Sequence, residues 1–432
     1  MPRTRIQGAT ILTMAPGDEP IDSGAVDWQD DTLTYVGPAS AAPHQAPDQS
    51  IDGTGCVLIP GLINAHTHLA MTLLRGFADD MHLKPWLEEK IWPTESNLIQ
   101  DDVYWGTRLG ILELLRGGCT CFNDMYHFYE TATRAAIDGG IRACPSGVLL
   151  GILDNAADLL EHAIEFTATV KAQANGRIHP MIGPHAPYTC PRPLLERVAE
   201  ASLEQGIPVH IHLSETRGEY QESVAEHGLS PVQYLESIGL LQCRVAAAHC
   251  VWLDDRDVET LVGRRVGCVH CPGSNMKLAS GFAPVPDLLN AGAVVALGTD
   301  GAASNNNMDM FEEMLLAAII HKGNSGDPTL VKGQEALAMA TRGAATALGI
   351  DDVVGTLQAG KRADMALVDL KGPHLRPLHS VISHLVYAAG AADVKMTVVD
   401  GQILWRDGQF PGQDVQRVYQ ECQARALRLC GS

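Results

Sequence analysis

His66-Thr67-His68 sets two imidazoles two residues apart at the end of the apolar run LIPGLINAH (58–66). On an extended strand, residues i and i+2 share a face, so both rings can converge on one cation. An HxH pair is a weak signal alone, but three further apolar runs end in groups of the same kind. His212 closes PVHIHL (208–213), His249 closes VAAAHC (245–250) and Asp300 closes VVALGTD (294–300). Imidazoles with one carboxylate suit zinc, iron or manganese. Glu215 lies three residues after His212, close enough to reach the same point without binding the ion, as a general acid/base would. It also reads as the first acid of the helix TRGEYQESVAEHG, favoured there by the helix dipole. The neighbouring ligand candidates favour the catalytic reading. The implied chemistry is hydrolysis of a small molecule by metal-activated water.

These groups can meet only if the runs carrying them lie side by side and point the same way. Eight short apolar runs stand between residues 58 and 300: LIPGLINAH, TCFNDM, RACPSGV, IHPMIGPH, PVHIHL, VAAAHC, VGCVHCP and VVALGTD. Amphipathic segments such as DDVYWGTRLGILELLRGG (101–118), PRPLLERVAEASLEQG (191–206) and DDRDVETLVGR (254–264) separate them and open and close as helices do. Eight strands alternating with helices predict an α/β fold, a (β/α)8 TIM-type barrel whose catalytic groups sit at the carboxyl ends of the strands. An open doubly wound sheet is the runner-up, but no Gly-rich phosphate loop follows any run. Residues 1–57 and 353–410 instead read as β hairpins broken by Gly, Pro and Asp, including the DG turn at Asp400-Gly401. They predict a small β-sandwich domain built from both termini. The expected division is 1–57 and 353–432 for that domain and a C-terminal helix, with the barrel over 58–352. The long connection 69–100 reads as a lid or substrate-binding segment.

Composition narrows the partners. A formal charge of −20 over 432 residues argues against a phosphate-backbone partner. No apolar stretch is long enough to span a bilayer, and the first residues do not resemble a secretory leader. The 11 cysteines show no framework spacing, which fits reduced thiols in a cytoplasm. Cys268-Val269-His270-Cys271 is a lone CxxC better read as buried core than as a zinc ribbon. No HxE sequence is present, which excludes the HxE/PCxxC type of zinc deaminase.

PGLINAHTHL, HLSE, AHC, CPGSNMKL and GTDGAASNNNMDMFEEM resemble, in order, the blocks of the amidohydrolase superfamily. The likeness is to its deaminase and chlorohydrolase branch, and GTLQAGKRADMALVDL resembles that branch's return into the β domain. The resemblance implies one divalent metal ion, usually zinc, held by His66, His68, His212 and Asp300, without a carboxylated lysine. It also implies homo-oligomers. WLEEKIWPTE (86–95) and GPHAPYTC (183–190) are similar to the methylthioadenosine/S-adenosylhomocysteine deaminase subfamily. That likeness implies that Glu95 binds the ribose hydroxyls, His185 meets the adenine ring and Trp86 flanks a purine nucleoside.

The expected reaction is hydrolytic deamination of the adenine ring to the inosine analogue and ammonia. Asp300 would take the water proton, His249 would orient the nucleophile and Glu215 would protonate the ring. The stretch GVLLGILDNAADLLEHAIEF lacks the Arg that would hold the carboxylate of S-adenosylhomocysteine, and Arg142 lies at the wrong end of its strand. A carboxylate beside Asp154 and Asp158 would be disfavoured, whereas a neutral methylthio tail suits Leu149, Leu150 and Ile152. Methylthioadenosine is therefore expected over S-adenosylhomocysteine, with adenosine a further candidate. The metal motifs equally allow a free-base deaminase (guanine, 8-oxoguanine, cytosine) or a triazine chlorohydrolase. A non-catalytic scaffold barrel would not need the intact set of ligands.

Overall fold

The computed structural model describes residues 3–151, 156–170 and 176–431. Sixteen strands occur among them: β1 (Arg3–Ile11), β2 (Ile21–Gln29), β3 (Thr32–Pro38), β4 (Gln49–Asp52), β5 (Cys56–Pro60), β6 (Leu62–Thr67), β7 (Cys119–Tyr126) and β8 (Arg142–Leu149). They continue as β9 (Met181–Pro184), β10 (Val209–Leu213), β11 (Val245–His249), β12 (Gly267–His270), β13 (Val294–Leu297), β14 (Met365–Asp369), β15 (Val394–Val399) and β16 (Gln402–Arg406).

Strands β6 to β13 pair in chain order as parallel neighbours, each followed by helical chain. Six of them are buried at every residue, so neither face of those strands meets solvent. The barrel seam lies between β13 and β6. There the Asp300 N–H donates to the His66 carbonyl at 3.0 Å, and Asn64 is tied to Thr299 through both its amide oxygen (3.0 Å) and nitrogen (2.7 Å). Gly298 is required at this seam, because a Cβ there would stand 2.8 Å from the His66 backbone nitrogen.

The run read as one strand over 58–66 is two. Cys56–Pro60 pairs with β14 and β1 in the other sheet, and the chain turns at Gly61 before β6 enters the barrel. IHPMIGPH also yields a shorter strand than its apolar length predicts, since Ile178 makes only an isolated bridge to Ala143.

Both termini build the second sheet, in the order β16-β15-β14-β5-β1-β2-β3 with β4 beside β1. Ile6, Val26, Trp28, Leu58, Met365 and Val398 form its separate core. Asp400 and Gly401 both take positive φ in the β15–β16 turn, as a DG hairpin requires. Arg142, fully buried at the start of β8, bonds Asp364 through two nitrogens (2.9 and 3.0 Å) and Asp400 at 3.0 Å. It thus joins the barrel to the second sheet, at the end of β8 away from the catalytic candidates.

The 69–100 connection is largely helical. Short helices cover Leu69–Leu74 and Leu83–Glu95 before the long helix Gln100–Arg116. Gly106 lets that helix touch the first turn, where a Cβ would lie 2.6 Å from the Ala70 carbonyl oxygen. The C-terminal helix Val415–Cys430 buries Val418 and Cys422 against Leu73 and Leu112. No helix among the described residues is long and apolar enough to cross a membrane. Cys268 and Cys271 are both buried free thiols.

Arg142→Met strands two buried carboxylates. A loss of about 3–5 kcal/mol in chemical denaturation is expected. A loss below about 1 kcal/mol would mean the pairing is worth no more than a surface ion pair.

Candidate active site

Parallel strands bring their carboxyl ends to one face, and the site is assembled there. His66 and His68 come from the end of β6, His212 from β10 and His249 from the last position of β11. Asp300 follows β13 by three residues. Asp300 Oδ1 lies 3.4 Å from His66 Nε2 and 3.3 Å from His68 Nε2. His68 Nε2 in turn is 3.2 Å from His212 Nε2.

Hydrogen-bond partners dictate the tautomers. His68 Nδ1 stands 2.6 Å from the Met125 carbonyl and His212 Nδ1 stands 2.7 Å from the His185 carbonyl. A carbonyl only accepts, so each Nδ1 carries the proton and each Nε2 presents a lone pair. The Ser146 hydroxyl donates to the Asp124 carbonyl (2.7 Å) and so accepts from His210 Nδ1 (3.0 Å). His210 Nε2 must then accept from His66 Nδ1 at 2.8 Å. The relay leaves His66 Nε2 bare, and that atom is buried with no partner. Three lone pairs and a carboxylate oxygen facing one another are repulsive unless a cation lies between them. The donor set fits a divalent metal ion.

Asp300 is held in place from behind. Ser274 and Ser304 donate to Oδ2 at 2.6 and 2.9 Å, and the Gly301 N–H donates to Oδ1 at 2.8 Å. His249 Nδ1 bonds Asn275 Oδ1 at 2.8 Å, turning Nε2 to within 3.8 Å of Glu215 Oε2. Burial disfavours protonated His249, yet Glu215 and Asp300 raise its pKa overall. One of its ring nitrogens is also close enough to nitrogens of His66 and His212 to complete a second, overlapping donor group. Glu215 is buried, which pushes its carboxyl up toward the protonated form, and Ser280 donates to its Oε1 at 3.1 Å. His249 and Asp300 both sit at positive φ (74° and 63°), a strained setting for non-glycine residues that concentrates at functional sites.

One cavity contains Trp86, Glu95, His185, Glu215, His249 and Asp300 in its wall, with His68 and His212 at its floor. His66 lies behind them, fully buried. The helical connection 83–95 brings Trp86 and Glu95 to the opposite wall. Trp86 Nε1 and Glu95 Oε1 are both buried without a partner, as groups awaiting a ligand would be. Burial raises the Glu95 carboxyl pKa, opposed by His127 and Tyr126. Burial and the nearby imidazoles lower His185 to about 3, so its ring is neutral.

Several residues here carry no signal in a single run of sequence. His210, Ser146, Asn275, Ser274 and Ser304 touch the ligand candidates rather than the cavity, so only contact reveals them. Ser274 and Asn275 do fall within CPGSNMKL, and His210 makes a second HxH with His212. Leu149 faces the barrel core instead of the cavity, because alternate residues of β8 point to opposite faces. Leu150 does line the cavity. Asp158 is exposed and lines neither this cavity nor the adjoining one, while Ile152 and Asp154 lie outside the described residues.

Residues 57–404 match the amidohydrolase family. A 5-methylthioadenosine/S-adenosylhomocysteine deaminase of Pelotomaculum thermopropionicum is 48% identical over 425 residues, covering 98% of each chain. Another from Desulforudis audaxviator is 45% identical over the full length of both. The crystal structure of an adenosine deaminase from Xanthomonas campestris with bound zinc shares 35% identity, a TM-score of 0.95 and 99% of each chain. An atrazine chlorohydrolase from Arthrobacter aurescens shares the fold at 24% identity, with a TM-score of 0.90 over 98% of this chain and 100% of that one.

Ser146→Ala removes the acceptor that orders the His210–His66 relay. Affinity for a divalent ion, measured by chelator competition, is expected to fall on the order of 10- to 100-fold. Unchanged affinity would show that the His66 tautomer is set without the relay.

Proposed function

The chain belongs to the amidohydrolase family, and from that premise we propose that it deaminates 5′-methylthioadenosine at the adenine ring, releasing ammonia. The family chemistry is metal-dependent hydrolysis, and the ion in this reading is zinc, as in the Xanthomonas adenosine deaminase. The supporting observation is one cavity. It joins the His66/His68/His212/Asp300 donor group and the buried acid Glu215 to an unpartnered carboxylate oxygen of Glu95 on the facing wall.

Bound at the donor group, a divalent cation supplies the Lewis-acid chemistry that makes water a nucleophile near neutral pH. Asp300 accepts the proton that the attacking water releases and returns it to the amino nitrogen, so that the C–N bond breaks and ammonia leaves while the remaining hydroxyl proton passes back to Glu215. The orientation of Asp300 for this is held by Ser274 and Ser304 on the other oxygen. Glu215, whose carboxyl burial shifts toward the protonated form, gives its proton to the ring nitrogen beside the carbon under attack. Because Ser280 occupies Oε1, Oε2 is the oxygen that faces the site. His249 Nε2 supports the charge that develops, with Asn275 fixing the ring behind it. Glu95 accepts from the two ribose hydroxyls, which its bare oxygen suits. His185 meets the purine edge and Trp86 closes over the nucleoside.

A second cavity continues past Glu95 along Leu98, Phe128, Val148, Leu150 and Leu159. Its described lining is mostly apolar, holds Glu130 and contains no Lys or Arg. A methylthio tail fits that wall. The amino-acid carboxylate of S-adenosylhomocysteine would meet Glu130 without a guanidinium, so it is the poorer substrate here.

Glu215→Gln is expected to cut turnover on the order of 10²- to 10⁴-fold with metal content unchanged by elemental analysis. Loss of the metal in that variant would make Glu215 a ligand instead. Glu95→Ala should raise KM for methylthioadenosine by on the order of tenfold or more, as loss of charged hydrogen bonds does. An unaltered KM would point to a substrate without a ribose diol.

A further inference from the structure

We infer that Glu219, outside the reacting centre, is the positioning residue that sets where Glu215 delivers its proton. The inference rests on the reading of Glu215 as the proton donor.

Glu215 follows Ser214, which sits at φ 52°, a left-handed conformation that serine adopts only when its surroundings hold it there. On one side the Ser214 carbonyl accepts from the Val251 and Trp252 N–H groups at 3.0 and 2.9 Å. On the other, the Glu219 carboxylate spans the turn. Its Oε1 accepts from the Ser214 N–H at 3.0 Å and its Oε2 from the Glu215 N–H at 2.7 Å. Thr216-Arg217-Gly218-Glu219 has the spacing of a capping box, in which the glutamate would return to the Thr216 N–H. Half of that box is present, since Thr216 Oγ1 accepts from the Glu219 N–H at 3.2 Å. The carboxylate reaches beyond it to the two residues before the helix.

Glu219 is 7% exposed. Burying a carboxylate is costly, and a residue needed only for packing would be apolar. Two N–H bonds to its carboxyl oxygens offset that cost, and both come from the backbone of the catalytic turn. A rigid glutamate backbone at this point leaves Glu215 only its side-chain torsions, of which Ser280 restrains the end.

The test uses the full, zinc-loaded chain with methylthioadenosine. In Glu219→Gln the amide offers one acceptor and turns an N–H against the other backbone N–H. We expect kcat per metal-loaded site to fall on the order of 10- to 100-fold, as a misplaced catalytic group costs. KM should stay within about threefold, the signature of an interaction used in turnover rather than binding. Glu219→Asp keeps both acceptors and should recover part of the loss. It carries the test by itself if the glutamine variant does not fold. In a Glu215→Gln background, Glu219→Gln should cost nothing further, because both act through one proton transfer. Wild-type kcat in both Glu219 variants, or a full additional loss in the double variant, would overturn the inference. If Glu215→Gln itself remains active, the reading of Glu215 fails first. If it is inactive while Glu219→Gln is not, only the positioning role fails.

Discussion

Lone pairs that face one another are the constraint around which this molecule is organised. His66, His68 and His212 turn their Nε2 atoms to a common point because their Nδ1 protons are committed elsewhere: two to backbone carbonyls and one to a buried relay. Such an arrangement is stable as a cation site and unfavourable otherwise. Everything behind it fixes ring orientation, and ring orientation depends on strand register. A one-residue slip of β6 against β7 would move the Met125 carbonyl from His68 and turn His66 out of the centre.

The barrel answers that demand with rigidity at its carboxyl face and strain confined to a few residues. Ser214, His249 and Asp300 all take positive φ at or just beyond the ends of their strands. Each is held from outside the reacting centre. Glu219 holds the first; Asn275 holds the His249 ring; Ser274, Ser304 and the Gly301 N–H hold Asp300. The short helix Pro272–Lys277 serves two of these at once. It is pinned in turn by the buried Glu313, which accepts from the Gly273 N–H at 3.1 Å. Burial pushes the Glu313 carboxyl up to about 8.

The substrate side is built differently. The 83–95 segment is not a barrel strand and packs partly through Trp86 and Ile91, both buried. It presents two buried polar atoms without a protein partner, Trp86 Nε1 and Glu95 Oε1, to the cavity.

Periodicity and spacing alone marked the eight barrel runs, the hairpin character of both ends, and His66, His68, His212, His249, Asp300 and Glu215 as groups at strand ends. Those features are local: an apolar run becomes a buried strand, and its last residues reach the carboxyl face. The division of 58–66 between two sheets was not local, because Gly61 turns only in response to β14 and β7. The burial of Leu149 was hidden too, since the face a residue presents depends on the pairing of its strand. The relay through His210 and Ser146, the Arg142 junction and the reach of Glu219 past its own helix depend on contacts between distant segments. A linear chain specifies which side chains can donate, accept or ligate; only packing decides which atom each one faces.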